Sequence, residues 1–120
     1  MRKYTKSQRK KLRELAGIAN ERELDQEMER LYQHFENWRS GNISCFELSD
    51  LIHKFHQGAS REIWKMYAYS DPDTAVSRAV VLSLLKKEEL TEEILSILEP
   101  RIDMFRNEQT LLDHLPNSWR

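Results

Sequence analysis

The sequence predicts an all-α fold: a compact bundle of about five to six helices with an apolar central helix near residues 72–86. Three observations carry that expectation. Apolar residues recur at steps of three and four along much of the chain, which is the spacing of a helix face. Only three Gly and three Pro interrupt the 120 residues, against 39% hydrophobic and 32% charged residues, the make-up of an ordinary folded domain. Helix-start signals, Ser44 with Glu47, Asp71-Pro72 and Thr91, fall between the patterned stretches. A chain of this length buries roughly 60 to 70% of the surface that its unfolded form exposes, so residues 1–120 read as a single domain.

Residues 6–18 carry Leu12, Leu15, Ala16 and Ile18 with a basic opposite face, and Gly17 and Asn20 predict a break or kink behind them. Leu24, Met28, Leu31, Phe35 and Trp38 then step by four, three, four and three, one stripe of a helix over about 20–39. Ser44 and Glu47 match a capping box, in which each side chain satisfies a free amide of the first turn. Leu48, Leu51, Ile52 and Phe55 form the stripe of the helix it starts, and Gly58 is expected to end it. Ser60 is placed to cap a short helix to about residue 69, with Ile63, Trp64 and Tyr67 at helical spacing.

Asp71 offers a capping oxygen, and Pro72 suits a first turn where no amide hydrogen is needed. The run AVSRAVVLSLL, Ala75 to Leu85, is apolar nearly all round and is expected at the centre of the bundle. Its valines would also suit a strand, but there is no convincing second strand to pair with it. Thr91-Glu92-Glu93 opens a last helix bearing Ile94, Leu98, Ile102 and Phe105, which Pro100 should kink or divide. Leu111, Leu112, Leu115 and Trp119 are spaced for a terminal segment that folds back on the bundle.

A net charge of −1 conceals a strong asymmetry. Arg2, Lys3, Lys6, Arg9, Lys10, Lys11 and Arg13 precede the first acid, Glu14, so residues 1–13 carry +7 and the other 107 carry −8. A basic arm of this kind suits nucleic acid, anionic lipid or an acidic protein, or else serves as a solubilising terminus. The chain lacks an apolar run of the roughly 18 residues that a bilayer requires and an apolar leader, and Cys45 is its single cysteine. These features predict a cytoplasmic protein in a reducing compartment, with no disulfide within the chain.

The stretch ENWRSGNISCFE, residues 36–47, has Gly at its sixth position, Ile at its eighth, Ser at its ninth and Glu at its twelfth, between two helical stripes. Over residues 24–55 the chain therefore resembles an EF-hand, whose calcium loop has those landmarks. The ligand positions depart from the pattern. The first, third and fifth are Glu36, Trp38 and Ser40, and an indole supplies no oxygen to replace a calcium ion's hydration shell. The expectation is a helix-loop-helix joint that folds without metal, with Trp38 either packed inward or projecting as an interface anchor.

Asp50, His53 and His56, each three residues apart, are the metal-ligand candidates, a weak pattern, since a carboxylate-bridged di-iron bundle takes Glu-x-x-His from two separate helices with further glutamates and this chain has one partial relative, Asp50-x-x-His53. On a helix Asp50 and His53 point away from the apolar stripe and His56 borders it, so solvated histidines are the simpler reading. Cys45 falls in a first turn, where free amides activate a thiol, although lone cysteines are commonly small buried hydrophobes. No phosphate-binding glycine loop, nucleophile elbow, zinc-protease helix or paired-cysteine zinc pattern is present, and no cofactor is implied.

The favoured role is that of a non-enzymatic regulatory or accessory protein, monomeric or homodimeric, that binds a protein partner. Arg61, Trp64, Lys65, Tyr67 and Trp38 are the candidate contacts, because Tyr, Trp and Arg anchor interfaces most often. Trp64 and Tyr67 have core positions as their alternative. A second reading is nucleic-acid binding through the arm from Arg2 to Arg13, with ELSDLIHKFHQGASREIWKMY as a loose helix-turn-helix around Gly58. A small metal-binding protein built on Asp50, His53 and His56 is a third.

Overall fold

The computed structural model describes residues 4–108, which are helical almost throughout and contain no strand. Its α-helices are α1 (Lys6–Arg39), α2 (Cys45–Phe55), α3 (Arg61–Tyr69), α4 (Pro72–Val81) and α5 (Glu92–Asn107). A π-helical turn, His56–Ser60, joins α2 to α3, so the pair forms one rod and the described residues hold four rods rather than five or six. None of them is long and apolar enough to cross a membrane.

The break expected near Gly17 does not occur. α1 runs through it for 34 residues, and at 1.5 Å per residue its length of about 51 Å accounts for the longest dimension, 53 Å. A mid-helix glycine costs about 1 kcal/mol relative to alanine. Anchoring Leu12, Leu15 and Ala19 on either side of it in the core outweighs that. The protein is accordingly elongated: its radius of gyration is 16.9 Å, whereas about 13.6 Å is typical of a compact domain of this length.

Two packing regions result. Leu12, Leu15 and Ala19 of α1 meet Val76, Ala79 and Val80 of α4 and Ile94, Leu98 and Ile102 of α5, with Leu84, Leu85 and Leu90 closing the end of the cluster. α4 runs alongside the first half of α1, from Asp73 near Tyr4 to Leu84 near Arg22. Farther along, the α2–α3 rod lies antiparallel to the second half of α1 with Leu48, Ala59 and Ile63 buried. α4 is not apolar all round, since its six consecutive buried residues include Ser77 and Arg78.

Helix ends explain several of the expected boundaries. Thr5 with Gln8 and Ser44 with Glu47 form capping boxes. At the end of α1 the amide of Asn42 donates to the Asn37 carbonyl at 2.8 Å and that of Gly41 to Trp38 at 3.1 Å, with Gly41 at φ +82°. This is a Schellman cap, in which the left-handed residue turns stranded carbonyls onto following amides. Ser83, at φ +62°, ends α4 in the same way: Leu84 donates to Ala79 at 2.8 Å and Ser83 to Val80 at 3.1 Å.

Other boundaries differ from the sequence reading. Gly58 lies inside the π turn and ends nothing, and Ser60 and Asp71 make no capping hydrogen bond with their side chains. Asp73 takes over at the start of α4, accepting from the Thr74 amide at 2.8 Å. α5 passes through Pro100 undivided, since Ser96, whose carbonyl loses its partner, is exposed to water. Leu111, Leu112, Leu115, Trp119, Arg2 and Lys3 lie outside the described residues.

The two Schellman caps predict opposite outcomes at equivalent positions. Gly41→Ala should lower the stability to chemical unfolding by about 1 kcal/mol, whereas Ser83→Gly should raise it, because only glycine takes a positive φ without crowding its Cβ. Shifts of the same sign in the two variants would contradict this account.

Candidate functional site

The polar centre of the molecule lies where α1, α3 and α4 meet. Arg78 Nη1 and Nη2 donate to Glu23 Oε1 and Oε2, both at 2.9 Å, and the Tyr67 hydroxyl donates to Glu23 Oε1 at 2.7 Å. The side chains of Glu23 and Arg78 are 2% and 5% exposed. Burial opposes the charge on Arg78, but the hydrogen bonds and charge of Glu23 more than offset that and raise its pKa. Burial, followed by the nearby Glu23 carboxylate, pushes the Tyr67 phenol well above its usual range.

One turn farther along α1, Glu27 is also buried and pairs with Arg30 at 3.1 Å. Its pKa is raised, chiefly by burial and against the pull of Arg30. It lines a narrow cleft of about 180 Å³ between α1 and α2, together with His34, Lys54 and Phe55. At 100° per residue Glu23 and Glu27 sit about 80° from the centre of the stripe Leu24, Met28, Leu31, Phe35 and Trp38. α1 therefore turns glutamates inward and leaves Met28, Phe35 and Trp38 exposed, with Leu24 and Leu31 partly covered.

The expected interface residues separate into two groups. Arg61, Trp64 and Lys65 are exposed on the outer face of α3, where Trp64 meets Tyr69 edge to face at 5.8 Å between ring centres. These two rings are 62% and 77% exposed and take no part in the core. Tyr67, half-buried, turns inward onto Glu23, and Trp38 lies on the last turn of α1. The helix-turn-helix reading is overturned, because the π turn carries α2 into α3 without the turn that it requires.

The arm splits as well. Residues from Lys6 onward form the first turns of α1, and among the described residues the side chains of Lys6, Lys10, Lys11 and Arg13 make no ion pair or hydrogen bond, whereas that of Arg9 donates to the Tyr4 carbonyl at 2.8 Å. Arg9 and Arg13 also line a groove of about 390 Å³ with Asp71 and Arg101. At its wall Asp73 accepts from the Tyr4 hydroxyl at 2.8 Å and pairs with Arg101 at 3.0 Å. Burial works against the Asp73 carboxylate, but these partners together lower its pKa.

In the resembled calcium loop, Glu36 and Trp38 belong to α1, and only residues 40–44 lie outside a helix. Gly41 serves the Schellman cap, and a carboxylate oxygen of Glu47 accepts from the Ser44 amide at 3.2 Å. Asp50, His53 and His56 are all exposed, and Asp50 pairs with Lys54 at 3.4 Å. Among the described residues no group of three or more His, Cys, Asp or Glu is placed to hold a metal ion. Cys45 is exposed at the start of α2.

The chain matches no family model, and neither a curated protein nor a solved structure matches it. Its own geometry is therefore the basis for assigning roles. Glu23, Glu27 and Arg78 were the residues that periodicity missed. The available signal was Arg78 itself, since a lone charge inside an apolar run needs a buried partner.

Two outcomes follow. Glu23→Gln or Arg78→Met should each cost about 3 to 5 kcal/mol in chemical unfolding by stranding a buried charge, and the double variant Glu23→Met/Arg78→Met should recover much of that loss. Single variants within about 1 kcal/mol of the parent would show that the pair is not structural. At the far side of the core, Arg22 makes two hydrogen bonds, 2.9 and 2.8 Å, to Glu89. These bonds, joined by one from the Lys86 amide, hold Glu89 down at about 2. A lowered carboxylate stabilises the fold above its unfolded pKa, near 4.5, and loses that contribution as pH falls towards 2. The melting temperature of Arg22→Gln should consequently fall less than the parent's over this window, and parallel curves would contradict the assignment.

Proposed function

We propose that this is a non-enzymatic accessory or regulatory protein that binds a protein partner through the outer face of α3. The observation that carries the reading is the exposed Trp64–Tyr69 pair, flanked by Arg61 and Lys65. Apart from their contact with each other, these two exposed rings add little to the core of the fold. Rings with a neighbouring guanidinium supply the large, rigid, partly polar contacts that dominate binding energy at interfaces. Arg61 and Lys65 favour a partner with an apolar recess and an acidic rim. The free, exposed Cys45 is compatible with a reducing compartment.

The test compares affinity capture from the native cell using the parent chain and the variant Trp64→Ala/Tyr69→Ala. Both substitutions are on the surface, so melting should change little. A protein enriched by the parent and lost, about tenfold or more, with the variant supports the reading. Equal recovery by both chains, or no enrichment at all, sinks it.

A second reading, nucleic-acid binding, rests on the unpaired Lys6, Lys10, Lys11 and Arg13 at the start of α1. It requires affinity that falls steeply with salt as counterions are released from phosphates. The acidic remainder of the chain opposes it.

A further inference from the structure

We infer that the outer face of α1 pairs antiparallel with the same face of a second copy of this chain. Three features of that face point to this occupant, the first two resting on the same cations. The first is its charge. Residues 6–13 hold five cations and no acid, whereas residues 14–39 hold seven acids and three arginines. On the outward side, Lys10 points within about 60° of Asp25, Met28, Tyr32 and Phe35 farther along, with Lys6 and Arg13 on one flank of that face and Glu29 on the other, and all are exposed. A surface that is basic at one end and acidic with apolar residues at the other complements itself when turned end for end, which is the arrangement of a two-fold interface.

The second feature is electrostatic. The first turn of α1 has no acidic residue, so cations crowd the positive end of the helix dipole. An antiparallel partner brings carboxylates, and the negative half of its own dipole, to that end. The third is Gly17. It is exposed in mid-helix, and a Cβ built on it meets nothing within 4 Å, so no contact within the chain accounts for a glycine there. Pairing residues 6–13 with residues 25–36 puts the two-fold axis near Asn20, within one turn of Gly17. Glycine at that crossing lets two helix backbones approach closely.

The size of the face sets the strength. A strip about 50 Å long and 10 Å wide gives on the order of 1,000 Å² from the two copies, the lower bound for a specific interface. The dimer should therefore be weak and sensitive to salt.

Sedimentation equilibrium of the full chain tests this. The parent chain should dimerise at about 100 µM in low salt and dissociate at about 500 mM salt. Lys10→Glu/Arg13→Glu cuts the charge of residues 6–13 from +5 to +1, and Asp25→Lys/Glu29→Lys turns that of residues 25–36 from −3 to +1. Each variant, with unchanged circular dichroism, should self-associate about tenfold or more weakly. An equimolar mixture of the two should form a heterodimer, since the reversed positions of one variant carry the charge opposite to those of the other. Gly17→Phe, which obstructs the crossing, should weaken the parent dimer, whereas Gly17→Ala should weaken it less. A monomeric parent chain under these conditions, including one that shifts mass only when nucleic acid is added, overturns the proposal. So do self-association that survives both charge reversals and a mixture that stays monomeric.

Discussion

Beyond Ala19 the setting of α1 about its own axis is held by one buried contact, the two-pronged bond between Arg78 and Glu23. Arg78 enters the core because it interrupts the apolar run of α4, and a buried guanidinium must have an anion. Glu23 supplies it, and Tyr67 fills a remaining lone pair of the carboxylate from α3. With three helices tied at one point, α1 has a single setting. That setting brings Glu27 inward as well, four residues on, and swings the stripe from Met28 to Trp38 partly into solvent. The exposed aromatic and apolar surface follows from a polar contact.

This contact also marks the limit of what the sequence discloses. Periodicity identified the α-helical stretches among the described residues, though not the short turns at His56–Ser60 and Lys87–Glu89, because steps of three and four survive whichever way a helix is turned. It placed the stripe of α1 correctly on one side of the helix. It could not say which side is buried, since that is decided by Arg78, some 55 residues away in the chain. Local signals succeeded where their physics is local: both residues of the Ser44–Glu47 box and the positive φ of Gly41 are met inside one turn. They failed at Gly17, Gly58 and Pro100, where packing on either side of a weak helix former carries the helix through it.

The same distinction sharpens the comparison with a calcium loop. Gly41, Ile43, Ser44 and Glu47 are the landmarks of that resemblance, and all but the half-buried Ile43 have a demonstrable task in joining α1 to α2. Gly41 reverses the chain out of one helix. Ser44 and Glu47 start the next. A joint assembled from a Schellman cap and a capping box consumes the residues that define the pattern and leaves Trp38 on the outer turn of α1. Among the partner candidates, the groups with no structural task are accordingly Trp38, Trp64 and the exposed cations beside Trp64.

Consistency across the chain gives these residues their weight. This is a sequence that caps its helices with care: Thr5 with Gln8, Ser44 with Glu47, Thr91 with the Ile94 amide, and two Schellman turns. Each such device stabilises by roughly 0.5 to 2 kcal/mol. Yet the outer face of α1 breaks three rules at once, with cations at a helix start, an unsupported glycine in mid-helix and apolar side chains in water. Errors of that kind scattered over a surface would signify little. Gathered on one face of one otherwise well-made helix, they are what a surface selected for contact looks like, because a fold violates its own rules where something other than folding is being served.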